Sequence, residues 1–130
     1  MRTFLLFALL CFTSCEALKN ISQPTTPDVD TSGLTATTTK ASYYANKFHG
    51  KKTASGQLYD KDKLTAAHKT LAFNTKVEVT NSKNNKKVIV IINDRLPATS
   101  KRSIDLSYEA AKKIDMILDG VVDVSLKILK

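Results

Sequence analysis

Alternation of apolar and polar residues marks most of the second half of the chain. From Thr75 to Thr80, Val77 and Val79 alternate with Lys76, Glu78 and Thr80, the period-two pattern of a half-buried strand. The run Val88 to Ile92 is uninterrupted β-branched and apolar. It is too short for a helix and reads as a buried central strand, Lys87 to Ile92. Asn84-Asn85 between the two suits positive φ and turns one strand into the next. Alternation returns from Val121 to Leu129, after Gly120. Ala41 to Ala45 reads as a first strand and Ser103 to Leu106 as a short one. Leu64 to His68 reads as either a short helical turn or an extended segment, and Asn46 to Tyr59 as a long loop punctuated by Gly50 and Gly56. Ser107 is a good N-cap, with Glu109 in the first turn, so a helix is expected to about Met116, burying Ala110, Ala111 and Ile114. Several short strands with one or two short helices predict a mainly β fold, a small barrel whose closure removes exposed edges.

The N-terminus follows different rules. Met1 to Ser14 has one positive charge and an apolar run from Phe4 to Phe12, a secretory signal too short to span a bilayer. Phe12-Thr13-Ser14-Cys15 resembles a bacterial lipobox, which makes Cys15 the lipid-carrying first residue of the mature chain and discards Cys11 with the signal. The alternative is an ordinary signal that leaves an unpaired thiol. Glu16 at the following position points to the outer membrane rather than the inner one. From Cys15 to Lys40 the chain is Thr/Ser/Pro-rich, with Pro24, Pro27 and Thr37-Thr38-Thr39, and is expected to be a disordered tether reaching up to ~80 Å. Residues 41–130 then form one domain. The formal charge of +8 is scattered along the chain without a Lys- or Arg-rich block, which favours attraction to an anionic surface over nucleic-acid reading, and no nucleic-acid partner is expected.

The candidate chemistry sits at the end of the central strand. Val88 to Pro97 delivers Asn93, Asp94 and Arg95 from a rigid element, and a carboxylate between an amide and a guanidinium has partners to set its protonation. The plainer alternative is that Asp94 pairs with Arg95 or caps a turn. Asp60, His68 and Asp105 are the other polar groups in ordered surroundings; Asp105 reads as structural, holding the helix start. Tyr43 and Tyr44 read as one core and one surface residue, the outward one able to stack on a sugar. With His49 and His68 the only histidines and no ligand spacing, neither a metal nor another cofactor is expected.

Together these residues resemble a known family. Ala41-Ser42-Tyr43-Tyr44, Phe48 to Gly56, Tyr59-Asp60, Leu64 to Leu71, Val77 to Asn81, Asn93-Asp94-Arg95 and Ile104 to Ser107 are similar, in order and spacing, to rare lipoprotein A (RlpA). The resemblance implies a six-stranded double-psi β-barrel in an envelope lipoprotein. It also implies endolytic lytic transglycosylase activity on peptidoglycan glycan strands, cutting between MurNAc and GlcNAc to leave 1,6-anhydro-muramyl ends. It assigns Asp94 as the main catalytic carboxylate, with Asp60 and His68 supporting it, and Gln57, Tyr44, Asn93 and Arg95 as glycan contacts. It departs from the family at Gln57, where Glu is usual, and at Leu96, where Gly is usual. Gln57 cannot exchange a proton, and Leu96 removes a permissive backbone position. Those departures keep a second function open, a lipoprotein that binds peptidoglycan without cutting it. The sequence names no protein partner.

Overall fold

A computed structural model describes residues 36–130. The signal segment, Cys15 and the tether up to residue 35 lie outside the described residues. Six strands form a closed barrel: β1 (Thr37–Tyr43), β2 (Thr65–His68), β3 (Lys76–Asn81), β4 (Lys87–Arg95), β5 (Ile104–Leu106) and β6 (Val122–Leu129). Their order around the barrel is β1-β5-β2-β4-β3-β6. β1 with β5 and β2 with β4 are parallel; the other neighbours are antiparallel. Parallel pairs need crossovers, and the connections that make them carry the loops of the site.

Alternation explains the core. Val77 and Val79 of β3, Val88, Val90 and Ile92 of β4, and Val124 and Leu126 of β6 point inward and are buried. Each such side chain contributes about 1.5–3 kcal/mol relative to exposure. The expectation of a uniformly buried β4 is corrected here, because Ile89 and Ile91 are 47% and 39% exposed on the outer face. A closed barrel with nothing packed on that side leaves alternate residues in solvent, however apolar they are.

The helix α1 (Tyr108–Lys113) is shorter than expected. Ser107 caps it as predicted, accepting from the Ala110 amide, and Ala110, Ala111 and Ile114 are fully buried. The chain leaves the helical region at Ile114–Asp115, where Asp115 takes φ 56°. Leu64 to His68 resolves to its extended alternative, β2 being flanked by both β4 and β5. Asn85 has the positive φ expected of the β3–β4 turn.

One boundary moves. The tether was expected to run to Lys40, yet Thr37 to Lys40 pair with Leu126 to Asp123 of β6. Threonine runs suit both an extended linker and a strand, since Thr is β-branched, and the partner strand lies at the far end of the chain where composition cannot reveal it.

Candidate active site

β4 carries an irregularity at the residues that matter. Across the β2–β4 pairing Ala66 faces Ile92 and Ala67 faces Asp94, so Asn93 is the extra residue of a bulge. Ile92 and Asn93 are consequently both buried although they are successive. The half-buried Asp94 carboxylate then meets the loop from Thr53 to Gln57. Oδ1 accepts from the amide N–H groups of Ala54 and Arg95, each at 2.8 Å, and Oδ2 accepts from the Tyr44 hydroxyl at 2.5 Å. Oδ1 is thereby saturated, while Oδ2 keeps a lone pair for one further partner.

The loop is shaped to make these contacts. Thr53 is buried, its hydroxyl donates to the Gln57 carbonyl, and the Ser55 amide donates to the Asn93 carbonyl. Gly56 takes φ 93°, a conformation that other residues adopt only with strain. Tyr44 follows β1 directly, and its ring lies 4.5 Å from that of Tyr59. Burial pushes its phenol far above the ordinary range, and the bond to Asp94 pushes it the same way, so the hydroxyl remains a donor. Neither neighbouring tyrosine is a free surface residue: Tyr43 packs against the core and donates to the Ile117 carbonyl.

One residue before Asp94, Asn93 lines a pocket of about 260 Å³ together with Gln57, Leu58, Asp60, Lys63 and Thr65. Asn93 Nδ2 donates to Gln57 Oε1 at 3.2 Å. Asn93 Oδ1 and Thr65 Oγ1, both buried and both on residues that line this pocket, have no hydrogen-bond partner. Asp60 Oδ1 accepts from the Asp62 amide. Thr65 and Lys63 were missed in the sequence; nothing in their spacing sets them apart. The Ala54 amide was equally hidden, since backbone donors leave no mark on residue identity.

His68 and Arg95 go elsewhere. His68 Nδ1 accepts from the amides of Thr70 and Leu71, and the imidazole lines a different pocket, with Thr39, Leu71, Ser103 and Leu126. Burial lowers its pKa, and the charges of Arg95 and Lys69 lower it further, so the ring is neutral at pH 7. The structure therefore does not assemble His68 with Asp60 and Gln57 around a common pocket. Arg95 donates from Nη1 to the carbonyls of His68 and Leu71, with its guanidinium 4.6 Å from the Phe73 ring. It is a clamp on the segment after β2, and its side chain is not among the hydrogen-bond partners of Asp94, so the pairing with Arg95, one of the two plainer alternatives for Asp94, is not formed through side chains. Asp105 is structural as expected, but its partners are Ser42 and Arg102 rather than the helix start.

Leu96 carries no backbone penalty. Among the described residues the non-glycine residues with positive φ are Asn74, Asn85 and Asp115, and Leu96 is buried outside that conformation. Gln57 is the departure with chemical content. A larger cavity of about 460 Å³, near Lys83 and Val122, has its carboxylates Asp119 and Asp123 paired with Lys83 and Lys40. Among the described residues no three His, Cys, Asp or Glu side chains gather as metal ligands would.

Residues 36–126 match the family model described as lytic transglycolase. The chain is 52% identical over 89 residues to the endolytic peptidoglycan transglycosylase RlpA of Campylobacter jejuni, covering 68% of this chain and 32% of that one. It is 47% identical over 113 residues to the protein of the same name from Pasteurella multocida, covering 87% and 38%. It thus spans about a third of the length of these relatives. Among solved structures, the Streptomyces papain inhibitor matches with a TM-score of 0.61 at 24% identity, over 74% of this chain and 96% of that one. Apo expansin of Clavibacter michiganensis matches with a TM-score of 0.59 at 20% identity, over 74% and 51%. The latter two share the barrel alone. With the family model covering residues 36–126, which take in the first five strands and most of β6, and RlpA sequences about half identical over 68–87% of the chain, this chain belongs to the lytic transglycolase family, as an RlpA member with a double-psi β-barrel domain.

Proposed function

We propose that this chain is an endolytic peptidoglycan lytic transglycosylase with Asp94 as its catalytic carboxyl group. The observation that carries the proposal is the holding of Asp94: two backbone amides fix Oδ1 and Tyr44 orients Oδ2, one residue along the strand from Asn93 in the wall of a polar pocket. A lytic transglycosylase needs one group twice. Its acid form protonates the oxygen between MurNAc and GlcNAc as that bond breaks. The resulting carboxylate then accepts the proton of the muramyl C6 hydroxyl as its oxygen closes on C1. Water is not the nucleophile, so the two-carboxylate arrangement of hydrolases is not required. Oδ2, with its spare lone pair, is the oxygen assigned to both transfers. Asp60, Gln57, Asn93 and Thr65 hold the sugar; His68 and Arg95 act as positioning residues on the β2 side. RlpA relatives whose names state this activity support the reading.

The test uses the full chain with purified peptidoglycan, reading products by mass spectrometry. Asp94→Asn keeps the shape and should lower formation of anhydro-muramyl ends by about 10²–10⁴-fold, the usual worth of a general acid–base group. Gln57 favours a second reading, glycan binding without cleavage. Equal binding by parent and Asp94→Asn with no anhydro ends from either would select it. The same proposal puts the protein in the cell envelope, with a lipid on Cys15 holding it to the outer membrane on the periplasmic side. Palmitate labelling that persists in Cys15→Ser would remove that part.

A further inference from the structure

We infer that Lys47, Phe48 and Lys51 form a platform beside Asp94 that reads a carboxylate on the muramyl unit of the glycan. The inference rests on the glycan reading above and adds the feature of substrate that it selects. Phe48 ends a 3-10 turn, Asn46–Phe48, and the residue is 37% exposed. That ring meets the Tyr44 ring edge-on at 6.0 Å, and Tyr44 is the residue bonded to Asp94. The ammonium groups of Lys47 and Lys51 each stand 5.4 Å from the centroid of the same Phe48 ring. Cation–π contact places two exposed charges that would otherwise sweep through solvent. Neither lysine joins a salt bridge among the described residues, whereas Lys40, Lys61, Lys83, Lys86, Lys87 and Lys113 all do.

The need for such charges follows from the site. Asp94 and Asp60 bring two carboxyl groups to this face and Lys63 on the pocket wall offsets one of them, so an anionic muramyl glycan gains from the further cations that Lys47 and Lys51 supply. The anion is a carboxylate from one of two sources. In peptide-free strands it is the lactyl carboxylate on the muramyl ring; in peptide-bearing strands that group is an amide and the carboxylates lie along the stem. A neutral glycan would gain nothing from the platform.

Binding of the full chain is measured to peptide-free strands, to the same strands with their lactyl carboxyls converted to methylamides, and to peptide-bearing strands. The variants are Lys47→Gln/Lys51→Gln and, as control, Lys76→Gln on the exposed face of β3. The parent and the control should bind charged strands about fivefold more tightly than methylamidated ones, the worth of two exposed charge pairs. The double variant should lose that preference while melting at the parent temperature. Loss confined to peptide-free strands assigns the lactyl carboxylate, and loss confined to peptide-bearing strands assigns the stem; both support the platform. A parent without the preference, or a double variant that retains it, overturns the inference. Anhydro-muramyl ends are counted in the same incubations. Ends formed without a charge preference would remove the platform and leave the enzyme. A preference without ends would do the reverse.

Discussion

Gln57→Glu exchanges one amide nitrogen for an oxygen at a position where the resemblance to RlpA leads one to expect Glu. In the structure Gln57 Oε1 accepts from Asn93 Nδ2 at 3.2 Å, a bond that either form of a Glu side chain can also accept. A protonated Glu adds something the amide lacks, an acidic hydroxyl that can give up its proton toward the sugar. Asp60 lines the same pocket, so a second carboxyl there faces a like charge, and such pairs keep a proton to higher pH. Residue 57 is exposed, and Lys63 on the pocket wall offsets part of the added charge. The stability change should therefore stay within about 0.5 kcal/mol. Activity should move far more. A positioned acid is worth about 10²–10⁴-fold, and with Asp94 already present an increase of at least about tenfold in the initial rate is expected. The assay counts anhydro-muramyl ends by mass spectrometry against time, with glycan affinity measured alongside. A rate within twofold of the parent at unchanged affinity would refute the expectation that a carboxyl group at position 57 can assist the proton transfers of Asp94.

Tyr44→Phe removes the donor to Asp94 Oδ2 and leaves the ring packing, so turnover should fall about tenfold with affinity nearly constant, seen as a drop in kcat without a rise in KM. Because the Tyr44 phenol stays protonated in the folded state well above its ordinary pKa of 10.0, the unfolded chain loses its proton first. Stability should therefore decline as pH rises past about 10, and Tyr44→Phe should flatten that decline in denaturant titrations. His68 has the opposite dependence: its folded pKa lies below the ordinary 6.5, so the unfolded chain takes up the proton first, and stability should fall as pH drops through that value toward the folded pKa. Imidazole NMR titration would show it directly, and a His68 that titrates at or above 6.5 would contradict the burial argument. Ser107 is fully buried, caps α1 through Ala110 and donates to the Lys63 carbonyl, so Ser107→Ala should lower the urea-derived stability by about 2–3 kcal/mol through a lost cap and a stranded carbonyl.

Local rules carried the sequence reading as far as they reach. Val77 and Val79 announce β3 because the period is visible within six residues, and Ser107 announces α1 because capping chemistry is local. Asp94 was found as a carboxylate at a strand end, but its partners Ala54 and Tyr44 are 40 and 50 positions away and obey no spacing rule. Arg95 could have been set aside as a side-chain partner from the sequence alone, since successive residues of a strand face opposite sides. His68 could not. Its nitrogen is taken by the amides of the turn that follows it, and only the path of that turn decides which cavity the ring enters. The start of β1 was missed for the same reason as those partners, its mate being at the other end of the chain.

That mating has a kinetic side. β1 closes the barrel by holding β5 on one edge and β6 on the other, with Thr37 opposite Leu126. Until the last strand exists as a free segment, the first has one edge open and the cylinder cannot seal. Contacts between such distant positions must overcome loop closure before they return any stabilisation, which makes folding slow relative to helical domains of this size. The domain therefore matures in a single late event, and a ribosome or translocon still holding the residues after Leu106 would be holding an unfinished barrel.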